Sequence, residues 1–302
     1  MHRLVVFGTL LMAATQAAAL SLRVITSNIR YAAPGDSYEK PWSVRGPLLI
    51  GRVSDTAANA TAAGAVPLIG MQEVLHAQLL DILAGLGPAW SYIGTGRDDG
   101  NEAGEYCPIL YPSARATLLA STQKWLSPTP DVPSYWPGAG SRRYVLVAVF
   151  EDVATGTRFV AANTHLDNAS SQARAEGARI LLAVIRDVQA LYGPGLPVTL
   201  SGDFNSPPGA DAYAAMVADG YLRESYALAD ERLRFGPYET YTGFVPDEVP
   251  DVSQRIDFIW VGPDADAAAP WTVTRYEVVD NVVGGVYFSD HRPVFVDVTL
   301  TT

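Results

Sequence analysis

Asp203 and Asn205 stand two residues apart in Gly202-Asp203-Phe204-Asn205, directly after the apolar, strand-like run from Leu196 to Leu200. In an extended chain, side chains i and i+2 share a face. A carboxylate able to act as a base or face a metal would then lie beside a neutral hydrogen-bond donor, a pairing that suits an anion such as a phosphate. Asp and Asn after a strand are also ordinary turn formers, so the tetrapeptide alone does not decide between a turn and a site. Similar side chains recur at other strand ends. Asn28 closes the run from Leu22 and is followed by Arg30, and Glu73 follows the run Val66 to Met71. His165 lies in Asn163-Thr164-His165-Leu166-Asp167, Asp257 opens a strand in Arg255-Ile256-Asp257, and Asp290-His291 immediately precedes the last strand. Each has a plain structural role open to it. Asn28 suits a turn, Glu73 a helix N-terminus and His165 a satisfied core position. Asp257 can pair with Arg255, and Arg30, Arg97, Arg142 and Arg143 are singly read as solvated surface charges. Together, however, they gather where open α/β sheets collect ligands and where catalytic duties are shared among elements.

The elements that must position these residues alternate along the chain. Strand-like runs cover Leu22 to Asn28 and Val66 to Met71, and helical spacing covers Trp42 to Ala63 and Leu75 to Leu86. Successive strands are expected at Trp90 to Gly94, Tyr106 to Tyr111, Ala116 to Trp125, Tyr144 to Asp152 and Arg158 to Asn163, separated by Gly, Pro, Asp and Ser. A long amphipathic helix follows from Ala169 to Leu191, then the Leu196 strand and a short helix from Ala210 to Ala218. Strands at Ile256 to Val261, Trp271 to Asp280 and Pro293 to Leu300 complete the chain. With no linker or repeat, this reads as one α/β domain over residues 20–302, two packed sheets with helices outside. Long polar loops at Tyr31 to Pro41 and Gly94 to Glu105 are candidates for function.

In this order the motifs resemble those of the endonuclease/exonuclease/phosphatase superfamily, which includes deoxyribonuclease I, abasic-site endonucleases, neutral sphingomyelinases, inositol polyphosphate 5-phosphatases and deadenylase nucleases. The resemblance runs from Arg23-Val24-Ile25-Thr26-Ser27-Asn28 through Gly70-Met71-Gln72-Glu73, Asn163-Thr164-His165, Ser201 to Asn205 and Arg255-Ile256-Asp257-Phe258 to Ser289-Asp290-His291-Arg292-Pro293. It implies a four-layer α/β/β/α sandwich of two mixed sheets, DNase I-like. It implies one Mg²⁺ (or Mn²⁺) held mainly by Glu73, with Asn28 and Asp290. Asp203 then orients and deprotonates the attacking water, while Asn205 and His165 contact the phosphate and His165 assists the leaving oxygen. Asp257 fixes the tautomer of His291 and favours its charged form, the pair serving as base or as electrostatic clamp. Arg30 and Arg97 are expected substrate contacts. The chain is similar in more detail to a secreted subgroup sharing Asn28-Ile29-Arg30-Tyr31, Gly96-Arg97-Asp98-Asp99-Gly100 with Gly104-Glu105, and Thr240 to Phe244. Arg30 stands where DNA-repair members place an acidic ligand, which is why one metal is expected. The motifs do not name the substrate.

Composition narrows it. The formal charge is −11, and losing Arg3 with a leader lowers it by one, to −12; Lys40 and Lys124 are the only lysines. Proteins that hold long nucleic acids usually present a basic surface, so the expected substrate is a small, glycan- or lipid-linked phosphate mono- or diester. A secreted endonuclease or 3'-5' exonuclease is the alternative, and salt-sensitive binding to DNA or RNA would distinguish it. An inactive binding protein on the same fold is the alternative from another class, marked by metal binding without hydrolysis. Met1-His2-Arg3, the apolar Leu4 to Met12 and Ala17-Ala18-Ala19 read as a signal peptide over residues 1–19, its apolar run too short to span a bilayer. Export of a monomer is expected. Cys107 is the only cysteine, which excludes an intrachain disulfide and leaves stability to a large core. Asn59-Ala60-Thr61 and Asn168-Ala169-Ser170 are glycosylation acceptors in a eukaryotic host.

Overall fold

The computed structural model describes residues 19–33, 38–245, 253–263 and 271–300, so the expected leader, Ala19 apart, lies outside the described residues. The chain opens on β1 (Ser21–Asn28), α1 (Trp42–Ala62), β2 (Val66–Gln72) and α2 (His76–Leu86). The strands β3 (Trp90–Ile93), β4 (Ile109–Pro112), β5 (Ala116–Trp125), β6 (Tyr144–Asp152) and β7 (Arg158–His165) follow. Next come α3 (Ser171–Tyr192), β8 (Val198–Asp203), α4 (Asp211–Asp219), β9 (Arg223–Glu224), α5 (Ser225–Leu228) and β10 (Arg234–Phe235). The last are β11 (Asp257–Gly262), β12 (Trp271–Val278), the ribbon β13 (Val282–Val283) and β14 (Val286–Tyr287), and β15 (Val294–Leu300). One sheet runs β10-β12-β15-β1-β2-β4-β3 and the other β5-β6-β7-β8-β11-β9. Both are mixed: β1 is parallel to β2 and antiparallel to β15, and β8 is parallel to β7 and antiparallel to β11.

Period-two alternation builds the layers. In β6, Tyr144, Leu146, Ala148 and Phe150 point between the sheets, where they meet Leu22 and Val24 of β1 and Val66 and Leu68 of β2. Val145, Val147 and Val149 point the other way, against Ala178, Leu181, Leu182 and Ile185 of α3. On the far side Ile25, Ile69 and Met71 pack on Leu49, Val53 and Ala57 of α1 and on Leu79 and Ile82 of α2. The result is the expected α/β/β/α sandwich. Among the described residues no helix is long and apolar enough to cross a membrane. The strand expected from Tyr106 starts only at Ile109: Tyr106 makes an isolated bridge to Val74, and Pro108, lacking an N–H, cannot donate to a ladder. Cys107 is buried as a small apolar residue, its thiol pushed up to about 12 by burial.

Toward one end of the sandwich the same inward-facing rows turn polar. Gln72 Nε2 donates to Thr26 Oγ1 at 3.1 Å and to Asn163 Oδ1 at 2.8 Å, and Ser201 Oγ donates to Asn163 Oδ1 at 3.2 Å. Asn163 Nδ2 donates to the carbonyls of Met71 (2.8 Å) and Pro108 (3.0 Å). This satisfied layer ties the two sheets together and forms the floor beneath the strand ends. Gly70 makes room for it, since a Cβ there would lie 2.2 Å from Ser201 Oγ and 2.8 Å from Asn163 Oδ1. Gly70→Ala is therefore expected to destabilise the protein by about 1–3 kcal/mol through overpacking, read by urea denaturation.

Candidate active site

The inward-facing rows continue past this floor into Asn28 (after Val24 and Thr26), His165 (after Ala161 and Asn163), Asp203 (after Thr199 and Ser201) and Asp257 (before Ile259 and Val261). In-register pairing sets His165 beside Asp203 and Asp203 beside Asp257. Left-handed turns complete the set. Arg30 (φ 56°), Glu73 (φ 60°) and Asn205 (φ 48°) each follow a strand end in a conformation that L-residues rarely adopt. The extended step expected from Asp203 to Asn205 does not occur: β8 ends at Asp203, whose Oδ1 accepts the Asn205 N–H at 2.8 Å and tightens the turn. The turn after β1 is held by Arg45, fully buried in α1. Its Nη1 donates to the carbonyl of Ile29 (2.6 Å), and its Nη2 to those of Arg30 (2.6 Å) and Tyr31 (2.9 Å). Such strain persists only where surrounding contacts fix it, and it clusters at functional sites.

Asp203 sits at the centre. Asn28 Nδ2 donates to its Oδ2 at 2.9 Å and to Glu73 Oε1 at 3.0 Å, while the Arg30 N–H holds Asn28 Oδ1 at 3.0 Å. Asn28 therefore couples the two carboxylates. The Tyr31 N–H adds a donor to Glu73 Oε2 at 3.2 Å. His291 Nδ1 bonds Asp257 Oδ2 at 2.8 Å, and its Nε2 lies 3.7 Å from Asp203 Oδ2. Asp257 thus pairs with this histidine, whereas Arg255 pairs with buried Glu224. Burial opposes charge on His291, but Asp257 and Asp203 outweigh it and hold the imidazole protonated well above its usual range. Burial, with Asp257 beside it, pushes the Asp203 carboxyl up to about 7.

His165 Nε2 lies 3.0 Å from Asn205 Nδ2 and 3.4 Å from Asp203 Oδ2. Since Asn205 Nδ2 also donates to the Leu166 carbonyl at 3.1 Å, its NH₂ faces this side; the ring accepts at Nε2 and carries its proton at Nδ1. Burial, then Arg143 and Arg97, keep this imidazole neutral. Arg30 and Arg97 both line the cleft. Arg30 stacks on the Tyr31 ring at 4.6 Å and approaches Glu39 at 3.4 Å, and Arg97 donates to Glu105 Oε2 at 2.7 Å. The surface-charge reading fails for Arg143, which is buried on the same wall. Glu105 and Tyr241, whose ring meets His291 edge-on at 4.9 Å, also enter the cleft without having been singled out as site residues. The cleft holds about 500 Å³.

Asp167 shapes that wall from behind. Its Oδ1 accepts the N–H groups of Ala169 (3.0 Å) and Ser170 (2.8 Å), and its Oδ2 those of Gly140 (3.0 Å) and Ser141 (3.1 Å). With Ser170 capping Ala173 N–H, this delays α3 to Ser171, later than its spacing suggested. Burial works against the Asp167 charge, but the four N–H groups outweigh it and hold the carboxyl below its usual range. The folded value is lower than the unfolded one, so the stabilisation is present above about pH 4 and is lost as pH falls through the folded value. Asp167→Asn is expected to cost about 2–3 kcal/mol at neutral pH, with the gap to wild type closing below about pH 4 in denaturation curves.

Two sets of side chains have the chemistry to hold a cation. Asp203, Asp257 and His291 offer donor atoms within 4.8 Å of one another and could bind a metal. Glu73 and Asp290 share the cleft wall as hard oxygen donors, and burial together with the Glu73 charge pushes the Asp290 carboxyl up to about 6, with His291 and Arg30 opposing. Carboxylates crowded in this way fit a small divalent ion that takes oxygen ligands.

A sequence profile of the Endonuclease/Exonuclease/phosphatase family matches residues 52–291. An endonuclease/exonuclease/phosphatase family protein from Bacteroides thetaiotaomicron is 30% identical and superposes with a TM-score of 0.81, over 94% of this chain and 100% of that one. A mannosyl-6-phosphatase of the same organism is 31% identical with a TM-score of 0.78, over 92% of this chain and 99% of that one. The 3'-5'-exoribonuclease subunit Ccr4 of the CCR4-Not complex of Aspergillus niger is 26% identical over 202 residues, which span 52% of this chain and 31% of that protein.

Proposed function

Because the chain belongs to the endonuclease/exonuclease/phosphatase family, we propose that it is an exported, divalent-metal-dependent phosphoesterase that hydrolyses a phosphate ester on a sugar or other small molecule. The observation that carries this reading is the Asp203 carboxylate, buried between the Asn28–Glu73 pair and the Asp257–His291 pair on the wall of one cleft. The strong negative charge and near-absence of lysine speak for a small substrate over a long nucleic acid. Similarity to a mannosyl-6-phosphatase along nearly the whole chain speaks for a sugar phosphate.

In this reading Glu73 and Asp290 would hold Mg²⁺ or Mn²⁺, and Asn28 keeps Glu73 in place. The Asp203–Asp257–His291 group is the poorer holder in this reading, because Asp257 Oδ2 is already engaged by His291 Nδ1 at 2.8 Å. A cation bound there would supply positive charge to offset the negative oxygens of the phosphate. Asp203, with its carboxyl at about 7, orients the water and takes its proton as the oxygen attacks phosphorus. Charged His291 is the electrostatic clamp for the phosphoryl oxygens, and the Nδ1–H of His165 is a further donor as negative charge builds; Asn205, whose two amide hydrogens go to the Leu166 carbonyl and His165 Nε2, holds that tautomer in place. A panel tests this: mannose 6-phosphate, p-nitrophenyl phosphate, its bis diester, DNA and RNA, each with and without EDTA, beside Asp203→Ala. EDTA-sensitive release of phosphate from a monoester, absent in Asp203→Ala, is expected. Preferential cleavage of DNA or RNA would replace this reading with a nuclease, and metal binding with no hydrolysis would replace it with a binding protein.

A further inference from the structure

Arg143, just before β6, lines the cleft and is 8% exposed. Its Nη2 donates to Asn168 Oδ1 at 3.1 Å. Among the described residues no acceptor hydrogen-bonds to its Nε or Nη1, and both atoms are shut off from solvent. The nearby counter-charges are already engaged: Glu105 accepts from Arg97, and Asp167 takes four backbone N–H groups and stays 3.9 Å from Arg143 Nε. A buried guanidinium facing one neutral amide oxygen is a costly arrangement, which an anion in the cleft would relieve.

The neighbours define that anion. Arg97 spends Nη1 on Glu105, and its Nε has no acceptor among the described residues. His165 Nδ1 is buried without a hydrogen-bond partner, 3.9 Å from Glu105 Oε2. Donors therefore outnumber acceptors on this wall, and a guanidinium fork matches the oxygens of a phosphate. We propose that Arg143, aimed by Asn168, holds the extra oxygen of a terminal phosphate, so that the cleft selects monoesters over diesters. A monoester presents three non-bridging oxygens and about two negative charges, since its second ionisation falls near pH 6. A diester presents two such oxygens and one charge, and carries a second organic group where the third oxygen would be. The proposal deepens the phosphoesterase reading and rests on it for the reaction.

Calorimetry with inorganic phosphate, on the full chain loaded with Mg²⁺, tests the subsite alongside kcat/KM for p-nitrophenyl phosphate and its bis diester. Arg143→Gln is expected to weaken phosphate binding about 10- to 100-fold and to lower the monoester-to-diester ratio of kcat/KM by a similar factor. Asn168→Asp guards against a misfolded variant. It gives Arg143 a built-in carboxylate, so it should weaken phosphate binding about as much while raising the melting temperature. Phosphate affinity within about threefold of wild type in Asn168→Asp, or an unchanged ratio in folded Arg143→Gln, would overturn the proposal. If wild type hydrolyses neither ester yet Asn168→Asp still loses phosphate, the phosphoesterase reading falls and the subsite stands. Normal turnover with phosphate binding indifferent to Asn168→Asp gives the reverse.

Discussion

Asp203→Ala and His291→Ala are each expected to lower kcat by about three orders of magnitude or more, and to shift stability differently. The activity loss follows from place: Asp203 is the buried carboxylate toward which Asn28 and His291 turn, and His291 is the cation beside it. The stability contrast follows from charge. His291 lies between Asp257, at 2.8 Å, and Asp203, at 3.7 Å, with all three side chains buried. Removing Asp203 deletes one of two carboxylates that repel each other and leaves the Asp257–His291 pair intact, so the melting temperature should hold or rise. Removing His291 leaves two buried carboxylates without their shared cation, a change on the scale of about 3–5 kcal/mol. Steady-state rates and thermal melts on the same preparations read both. Near wild-type turnover in Asp203→Ala on a confirmed substrate would remove it from the chemistry, and equal destabilisation in the two variants would refute the charge argument.

The layers were legible because short apolar runs alternate with turn residues and with helical spacing, and in β6 such a run is unbroken from Tyr144 to Phe150, which marks a strand buried on both faces. Asn28, His165, Asp203 and Asp257 were legible for a related reason, as polar residues placed at the ends of such rows. What joins them was not. The contact of Gln72 with Asn163 spans 91 residues, and nothing local in either strand announces it. Glu73 and Asn205 reach the cleft through left-handed turns, so the extended step expected from Asp203 to Asn205 was the wrong geometry although both residues line the cleft. The buried arginines were the clearest miss. Arg143 reads as a surface charge because arginine usually is one, and nothing in the helical spacing of its stretch singles out Arg45. Arg143 directly precedes the fully apolar opening of β6, and that position was the available signal.

Chelation is expected to abolish turnover, and Glu73→Gln to raise the half-saturating Mg²⁺ concentration by about tenfold or more. In wild type, Glu73 and Asp290 hold negative charge in a buried cleft, and the Asp290 carboxyl is pushed up to about 6. A divalent ion that neutralises them should stabilise the fold by mass action, about 2.7 kcal/mol at a hundredfold excess over its dissociation constant. Glu73→Gln removes one of these charges. Its metal-free form should melt at or above the wild-type temperature, gain less from Mg²⁺, and recover part of its rate at high metal concentration. Asp257→Asn separates the two cation sites. If the ion sits on Glu73 and Asp290, Asp257→Asn lowers kcat through His291 and leaves the Mg²⁺ titration in place. A titration that moves with Asp257→Asn and not with Glu73→Gln would put the ion on Asp203, Asp257 and His291 instead. That result would make Asp203 a ligand, and the base that activates water would have to be sought elsewhere in the cleft.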